Sequence, residues 1–145
     1  MKIDIVKLNK DITLSHATDG AAGYDVQACL YFKEELRAGE ALTIPLGFAM
    51  SMGKNIAAIL LPRSGLGAKG LVLQNTIGLI DSDYQGEVCA MVKNTGNFTI
   101  VIKPMMRIAQ LIFIPILHME FNVVESFTTI TNRGINGFGS TGDIK

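Results

Sequence analysis

The sequence lacks the features that mark several large classes of protein. It contains no tryptophan, two cysteines and two histidines in 145 residues, and its 13 basic residues balance 13 acidic ones. Cys29 and Cys89 do not form a CxxC pair. His16 and His118 lie far apart in the chain, so we do not expect a zinc site built from protein ligands. The zero net charge likewise gives no electrostatic footprint for a nucleic acid polymer.

Long apolar runs are also absent. The longest, residues 111–117, is far too short to span a bilayer. Residues 1–5 alternate apolar with charged side chains instead of forming the apolar stretch of a secretion signal. We therefore expect a soluble cytoplasmic protein with no membrane partner. The length suits a single domain with a real hydrophobic core.

What the sequence does contain is a series of short β-branched runs separated by turn residues. They lie at residues 3–8, 41–44, 56–61, 86–92, 99–102 and 108–114. Such spacing predicts an all-β fold, an antiparallel sandwich or barrel. The best candidate for a helix is one short turn near residues 64–69, which Ser64 could cap. We expect a β domain over residues 1–127 and a flexible C-terminal arm over residues 128–145.

The arm carries the most informative segment, residues 133–142, which contains four glycines. Glycine lets the backbone approach a ligand closely, and Arg133 can fork onto phosphate oxygens. Phe138 offers a flat ring for stacking, while Ser140 and Thr141 can donate hydroxyl hydrogen bonds. We interpret this segment as a lid over a nucleotide. A plain Gly/Ser tail is the alternative.

Two further segments carry polar residues that a plain sandwich would not need. Residues 61–70 join the end of a strand to the short helix, where Arg63 adds a positive charge beside free backbone N–H groups. This indicates phosphate binding, although the spacing is not that of a Walker loop. Residues 21–26 place Asp25 at the start of a strand among small residues. An ordinary Asp turn is the alternative interpretation there.

Residues 74–88 form the richest segment and predict a hairpin with carboxylates at its tip or on its inner wall. The backbone N–H and C=O groups of a hairpin edge can imitate a base-pairing partner, which suits recognition of a pyrimidine. Asp81 could act as a general base toward water. A solvated turn with acidic side chains is the alternative. Residues 107–110 add an arginine and an amide, which are equally consistent with a pair at a strand edge.

Together and in this order, five segments resemble the trimeric dUTP pyrophosphatases, or dUTPases. They are residues 22–25, 62–67, 78–86, 107–111 and 133–142. The resemblance covers nearly the whole chain and implies a jelly-roll-like β fold assembled as a homotrimer, with each active site shared by three subunits. It also implies hydrolysis of dUTP to dUMP and pyrophosphate with Mg²⁺ bound through the triphosphate. That reaction limits uracil in DNA and supplies dUMP for dTTP synthesis.

The resemblance implies a role for each site residue. Asp81 would deprotonate the water that attacks the α-phosphorus, and Asp25 would hold the hydrated Mg²⁺ through its waters. Tyr84 would lie under the deoxyribose and leave no room for a 2′-hydroxyl. The expected substrate contacts are Arg63, Ser64, Gly65 and Gln110 on the phosphates, Asn75, Ile77 and Tyr84 on the nucleoside, and Arg133, Phe138, Gly139, Ser140 and Thr141 from the arm of another subunit.

Two positions depart from the family pattern. Met105 and Met106 stand where the family usually has glycine and an acid, which puts the local turn in doubt. Asn136 stands where glycine is common, but asparagine tolerates left-handed backbone angles.

Two alternatives to dUTP hydrolysis remain open. A dCTP deaminase of the same fold would carry a catalytic glutamate at about the place of Met91, and it would lack the Gly-rich arm. A non-catalytic dUTPase-like module, which binds a partner protein or acts as a structural trimer, is the other. Retention of the base and the lid argues against that module, since a degenerate module has no reason to keep Asp25, Asp81, Arg133 and Phe138.

Overall fold

The computed structural model describes residues 2–137. In this range the chain forms twelve β-strands and one four-residue helix, so the predicted all-β fold with a single short helix is confirmed. The elements are β1 (Asp4–Lys7), β2 (Ser15–His16), β3 (Tyr24–Gln27), β4 (Glu34–Leu36), β5 (Ala41–Pro45), β6 (Phe48–Ser51), β7 (Ile56–Pro62), α1 (Ser64–Gly67), β8 (Leu71–Leu73), β9 (Gly78–Ile80), β10 (Cys89–Asn94), β11 (Ile100–Ile102) and β12 (Arg107–Pro115).

The strands form four antiparallel sheets. The largest has the order β2-β3-β12-β7-β9, and a second has the order β5-β10-β8. The pairs β1-β6 and β11-β4 complete the set. The largest fully buried side chains are Phe48, Ile12, Ile44, Leu46, Leu71, Ile102, Leu111, Val26, Val92 and Asn94. Because they come from all four sheets and the loops between them, one continuous core holds the sheets together.

Strand β12 organises the largest sheet. Its apolar run pairs with β3 on one side and with β7 on the other, over seven residues in the second case. The register slips between Arg107 and Ala109, which marks a β-bulge at the start of the strand. A bulge re-aims the side chains beside it. The consequence here is that Arg107 reaches across to strand β3.

Helix α1 begins at Ser64, and its N-cap residue is Arg63. The backbone of Arg63 is extended, with φ −86° and ψ 133°, and no side chain caps the helix. The prediction that Ser64 caps the helix was therefore wrong, because Ser64 is itself the first helical residue. The Arg63 side chain instead extends past β12 to strand β3, where it contacts the carboxylate of Asp25.

The turn at Met105 and Met106, where the sequence departs from the family pattern, is formed. Met105 adopts φ +60°, the left-handed region that glycine favours, and its N–H donates to the carbonyl of Ala28 at 2.9 Å. The N–H of Ala28 in turn donates to the carbonyl of Met106 at 2.8 Å. Methionine thus keeps the geometry of a glycine turn at the cost of backbone strain.

The last strand ends at Pro115, and residues 117–137 are exposed. The domain boundary near residue 128 therefore stays a prediction. Of the arm, Arg133 is within the described range, whereas Phe138, Gly139, Ser140 and Thr141 lie outside it. Over residues 2–137 the chain has no helix that is long and apolar enough to cross a membrane.

Candidate active site

A buried carboxylate lies between two arginines at one end of the largest sheet. Asp25, on β3, is 7% exposed. Its Oδ1 lies 2.8 Å from Nε of Arg63, and its Oδ2 lies 2.9 Å from Nη1 of Arg107. Two guanidinium groups against one carboxylate leave a surplus of one positive charge. Since both arginine side chains remain partly exposed, this charge is available to an anion.

Gln110 lies beside this group, directly opposite Asp25 in the register of β3 and β12. Its Nε2 donates to the carbonyl of Pro62 at 3.0 Å, which holds the amide next to the start of α1. Gly23 leaves room for it, because a Cβ there would lie 2.9 Å from Oε1 of Gln110. We call Asp25, Arg63, Arg107 and Gln110 the Asp25 cluster. Ser64 and Gly65 follow Arg63 as the first two residues of α1.

The predicted hairpin segment begins with a strained three-residue turn. Thr76 adopts φ +65°, an unusual conformation for a β-branched residue. The N–H of Ile77 donates to the carbonyl of Asn75 at 2.7 Å across it. Strand β9 follows and pairs with β7. The two residues predicted to recognise the base therefore flank a strained backbone position.

Asp81 and Tyr84 lie in the turn after β9, and both are exposed. The N–H of Tyr84 donates to the carbonyl of Asp81 at 3.2 Å, and its hydroxyl donates to the carbonyl of Glu87 at 2.9 Å.

Cys89, the first residue of β10, lies shortly after this turn. Burial, with a smaller contribution from Glu87, raises the pKa of its thiol. A raised pKa keeps the thiol protonated at neutral pH, which argues against a nucleophilic cysteine here.

One chain does not bring all the predicted site residues together. Ile80 pairs with Ala58 on β7, so Asp81 lies near the level of Ala57, whereas Arg63 follows the opposite end of β7. Six residues of extended strand separate those levels by about 20 Å. The Asp25 cluster and Asp81 are therefore two separate groups within the chain.

Arg133 belongs to a third group, on the exposed tail. Its Nε donates to the carbonyl of Asn136 at 3.0 Å, and Gly134 adopts φ +54° in the same turn. The N–H of Asn136 donates to the carbonyl of Arg133 at 3.1 Å. This local turn keeps the Arg133 side chain within its own segment.

Sequence reasoning left two residues of these groups without a role. Arg107 was considered only as part of a strand-edge pair, although it completes the charge around Asp25. A basic residue next to a strand that begins with apolar residues was the available signal. Glu87 was given no role, because its contact with Gly47, 40 residues away, leaves no trace in the local sequence.

The antiparallel sheets and the single short helix form a jelly-roll β fold, and the surplus positive charge lies beside that helix. The dUTPase family model matches residues 9–142, and the chain belongs to that family.

Individual proteins support this assignment. The deoxyuridine 5′-triphosphate nucleotidohydrolase of Paraburkholderia phytofirmans is 47% identical over 98% of this chain and 99% of its own. The protein of the same name from Pectobacterium carotovorum is 49% identical over 88% of this chain and 85% of its own. The solved structure of the Staphylococcus bacteriophage 80alpha dUTPase with dUPNHPP matches with a TM-score of 0.84 and 27% identity. It covers 97% of this chain and 98% of its own.

Proposed function

We propose that the chain hydrolyses dUTP to dUMP and pyrophosphate by attack of water on the α-phosphorus. The observation that carries this proposal is the Asp25 cluster, which offers a surplus positive charge and an amide at one place. A triphosphate is the anion that suits it, since two bacterial relatives of this length are named for dUTP hydrolysis. The phage relative binds dUPNHPP.

The phosphate chain binds to the arginine and amide side chains of the Asp25 cluster and to the start of α1. Arg63 uses three of its five N–H groups on Asp25 and on the carbonyl of Arg107, so two remain for phosphate oxygens. Ser64 adds a hydroxyl. Gly65 adds an open stretch of backbone, because even a Cβ there would have nothing within 4 Å. Gln110 adds the amide of the neighbouring strand.

Asp81 acts as the general base toward the attacking water. Its position after β9 leaves the carboxylate exposed, where a water and a phosphate can both reach it. Asn75 and the backbone around Ile77 recognise uracil, and Tyr84 lies under the deoxyribose. A neutral amide and backbone groups suit an uncharged pyrimidine, whose edge carries both donors and acceptors.

The donor set fits a magnesium ion that arrives with the substrate. Residues 2–137 contain no group of three or more His, Cys, Asp or Glu side chains that could hold a metal. Asp25 accepts three hydrogen bonds from arginine, so it has about one lone-pair site left. That free site would accept a hydrogen bond from a water on Mg²⁺, an ion that keeps several waters and would take its remaining ligands from the phosphates. The bound ion would neutralise phosphate charge during attack.

The complete site is shared among subunits of a homotrimer. Because Asp81 and Arg63 lie about 20 Å apart along one chain, a single triphosphate cannot meet both unless they come from different chains. The exposed segment that follows β12 also supports assembly. In residues 117–123, exposed apolar side chains alternate with polar ones, as in a strand that buries one face. The apolar members are Leu117, Met119, Phe121 and Val123.

Release of pyrophosphate from dUTP tests the proposal, with UTP and dCTP alongside. We expect rapid release from dUTP and little from the other two, because unmatched polar groups penalise cytosine and Tyr84 blocks a ribose. Ammonia release from dCTP would instead favour the deaminase. That outcome is not expected, since Met91 stands where a deaminase would carry its glutamate. Failure to hydrolyse any of the three would support the binding module.

A further inference from the structure

Two hydrogen bonds hold Tyr84 across its own turn, and one of them holds its ring. Its backbone N–H donates to the carbonyl of Asp81, and its hydroxyl donates to the carbonyl of Glu87 at 2.9 Å. The ring is nevertheless about half exposed, so core packing does not fix its place. The position of the ring depends on where the Glu87 carbonyl lies.

Gly86 supplies the room that the ring occupies. A Cβ at this position would lie 2.6 Å from the Tyr84 hydroxyl oxygen and 2.8 Å from Cζ. The backbone of Gly86 does not adopt a positive φ, so other residues could take its conformation. The requirement for glycine is therefore one of space, and it concerns the Tyr84 ring.

The Glu87 side chain ties the same backbone to a distant turn. Its Oε1 accepts a hydrogen bond from the N–H of Gly47 at 3.1 Å. On either side, the N–H of Leu46 donates to the carbonyl of Val88, and the N–H of Val88 donates to the carbonyl of Phe48, both at 2.9 Å. Three hydrogen bonds thus join residues 87–88 to residues 46–48, and the carboxylate of Glu87 makes the middle one.

Gly47 can offer its N–H in this way because its backbone is unusual. It adopts φ +74°, and a Cβ there would lie 2.8 Å from Sγ of Cys29. The turn that Glu87 binds is thus rigid and closely packed. An acceptor attached to a rigid turn is a fixed point for the residues that follow it.

We propose that Glu87 is a positioning residue for sugar selection. Its carboxylate fixes residues 86–88 on the 46–48 turn, and its carbonyl oxygen then holds the Tyr84 ring where a 2′-hydroxyl would collide with it. This inference rests on the proposed function, in which Tyr84 lies under the deoxyribose. Glu87 itself touches no substrate and acts through Tyr84.

The test compares kcat/KM for dUTP and UTP in matched variants. Glu87→Ala removes the carboxylate, whereas Glu87→Gln keeps an oxygen that can accept from Gly47. Tyr84→Phe removes the hydroxyl that donates to the carbonyl of Glu87. It therefore breaks the same path of hydrogen bonds, from Gly47 through Glu87 to Tyr84, at its other end. Glu40→Ala is the control, because Glu40 also accepts a backbone N–H, that of Arg37 at 2.8 Å, in a different turn.

We expect Glu87→Ala to lower the preference for dUTP over UTP by roughly five- to tenfold, about the worth of one hydrogen bond. The change should come mainly from faster use of UTP, with kcat for dUTP changed less than about twofold. Glu87→Gln and Glu40→Ala should keep the preference. The double variant Tyr84→Phe, Glu87→Ala should discriminate no worse than Tyr84→Phe alone, since both changes break one path.

Amide hydrogen exchange of Gly47 provides a readout that does not need activity. Exchange should be slow in the wild type and in Glu87→Gln, and faster in Glu87→Ala. If Glu87→Ala discriminates as well as the wild type, or if its effect adds to that of Tyr84→Phe, the positioning role is overturned. A wild type that hydrolyses UTP as well as dUTP would instead overturn the role of Tyr84 in the proposed function.

Discussion

The Arg63 guanidinium contacts Asp25 through two of its nitrogens. Nε lies 2.8 Å from Oδ1, and Nη2 lies 3.4 Å from Oδ2. The third nitrogen, Nη1, donates to the carbonyl of Arg107 at 3.2 Å. Three contacts within the chain fix the group before any ligand arrives. An arginine held in this way loses little conformational entropy when it binds a phosphate.

The first prediction concerns the charge balance around Asp25. Asp25→Asn keeps the shape but leaves two guanidinium groups close together without an anion. Breaking a buried ion pair costs about 3–5 kcal/mol, and partial exposure of both arginines reduces this to about 1–3 kcal/mol. Urea unfolding measures the loss. Phosphate at high concentration should restore part of it, because an added anion binds the folded state.

Glu35→Gln is the matched control for that experiment. Glu35 also pairs with a cation, Lys33, at 2.8 Å, but both side chains are more than half exposed. The neighbouring ammonium lowers the pKa of Glu35 through a hydrogen bond and its charge. Solvent screens this pair, so the variant should unfold at the wild-type urea concentration. Equal stability of Asp25→Asn and the wild type would contradict the inferred charge balance.

Long, regular features of the fold could be predicted from the sequence. The six apolar runs correspond to β1, β5, β7, β10, β11 and β12. The predicted start of β10 was three residues early, because Gly86 and Glu87 belong to the turn that holds Tyr84. Short strands were missed where pairing depends on a distant partner. Strand β6, for example, is buried over three residues and pairs with β1 across the chain.

The candidate site could be predicted in part for the same reason. Asp25 and Gln110 are neighbours only because β3 and β12 pair, which no local pattern encodes. The resemblance to a family assigned both residues to the active site, but it did not give this pairing. It could not supply Glu87, whose partner is fixed by the packing of the 46–48 turn.

Backbone strain at Thr76 leads to the second prediction. Thr76 is exposed, and its backbone adopts φ +65°, which costs a β-branched residue about 1–3 kcal/mol. Thr76→Gly removes that strain and adds about 0.5–1 kcal/mol of unfolded-state entropy, so the net effect should be a gain of about 1 kcal/mol, the middle of a range from about 0 to 2.5 kcal/mol. The urea midpoint should rise. Since the turn flanks Asn75, we also expect KM for dUTP to rise as the turn loosens.

Met105→Gly is the comparison for Thr76→Gly. Met105 also adopts a positive φ, but its side chain is half-buried against the core. Removing it loses apolar burial of about 1–2 kcal/mol, which offsets the relief of strain. This variant should be no more stable than the wild type. If Thr76→Gly were less stable than the wild type, strain at Thr76 would be too small to outweigh the entropy that glycine adds to the unfolded chain.

The third prediction concerns the general base. Asp81→Asn keeps the shape and most hydrogen bonding but removes the proton acceptor, so kcat should fall about a hundredfold or more. KM should change little, because the role belongs to the transition state. Asp83→Asn, two residues away in the same turn, should keep more than half of the wild-type turnover. The reverse pattern would assign the base to Asp83.

The fourth prediction concerns the arm. A chain that ends at Asn132 lacks Arg133 and the segment beyond it. It keeps every strand that the structure describes within residues 2–137, because the last strand ends at Pro115. The shortened protein should therefore stay folded, form the proposed trimer and have little turnover. Size-exclusion chromatography and pyrophosphate release check the two parts separately.

Mixed trimers test whether the arm and the base of one site come from different chains. Chains with Asp81→Asn keep the arm, and chains that end at Asn132 keep the base, so a trimer containing both can assemble complete sites. We expect activity to reappear on mixing, once mass spectrometry confirms subunit exchange. Chains carrying both changes, mixed with Asp81→Asn chains, set the background because neither supplies Asp81. If activity does not rise above that background, the arm acts with the Asp81 of its own chain, and the sharing of arm and base between chains is wrong.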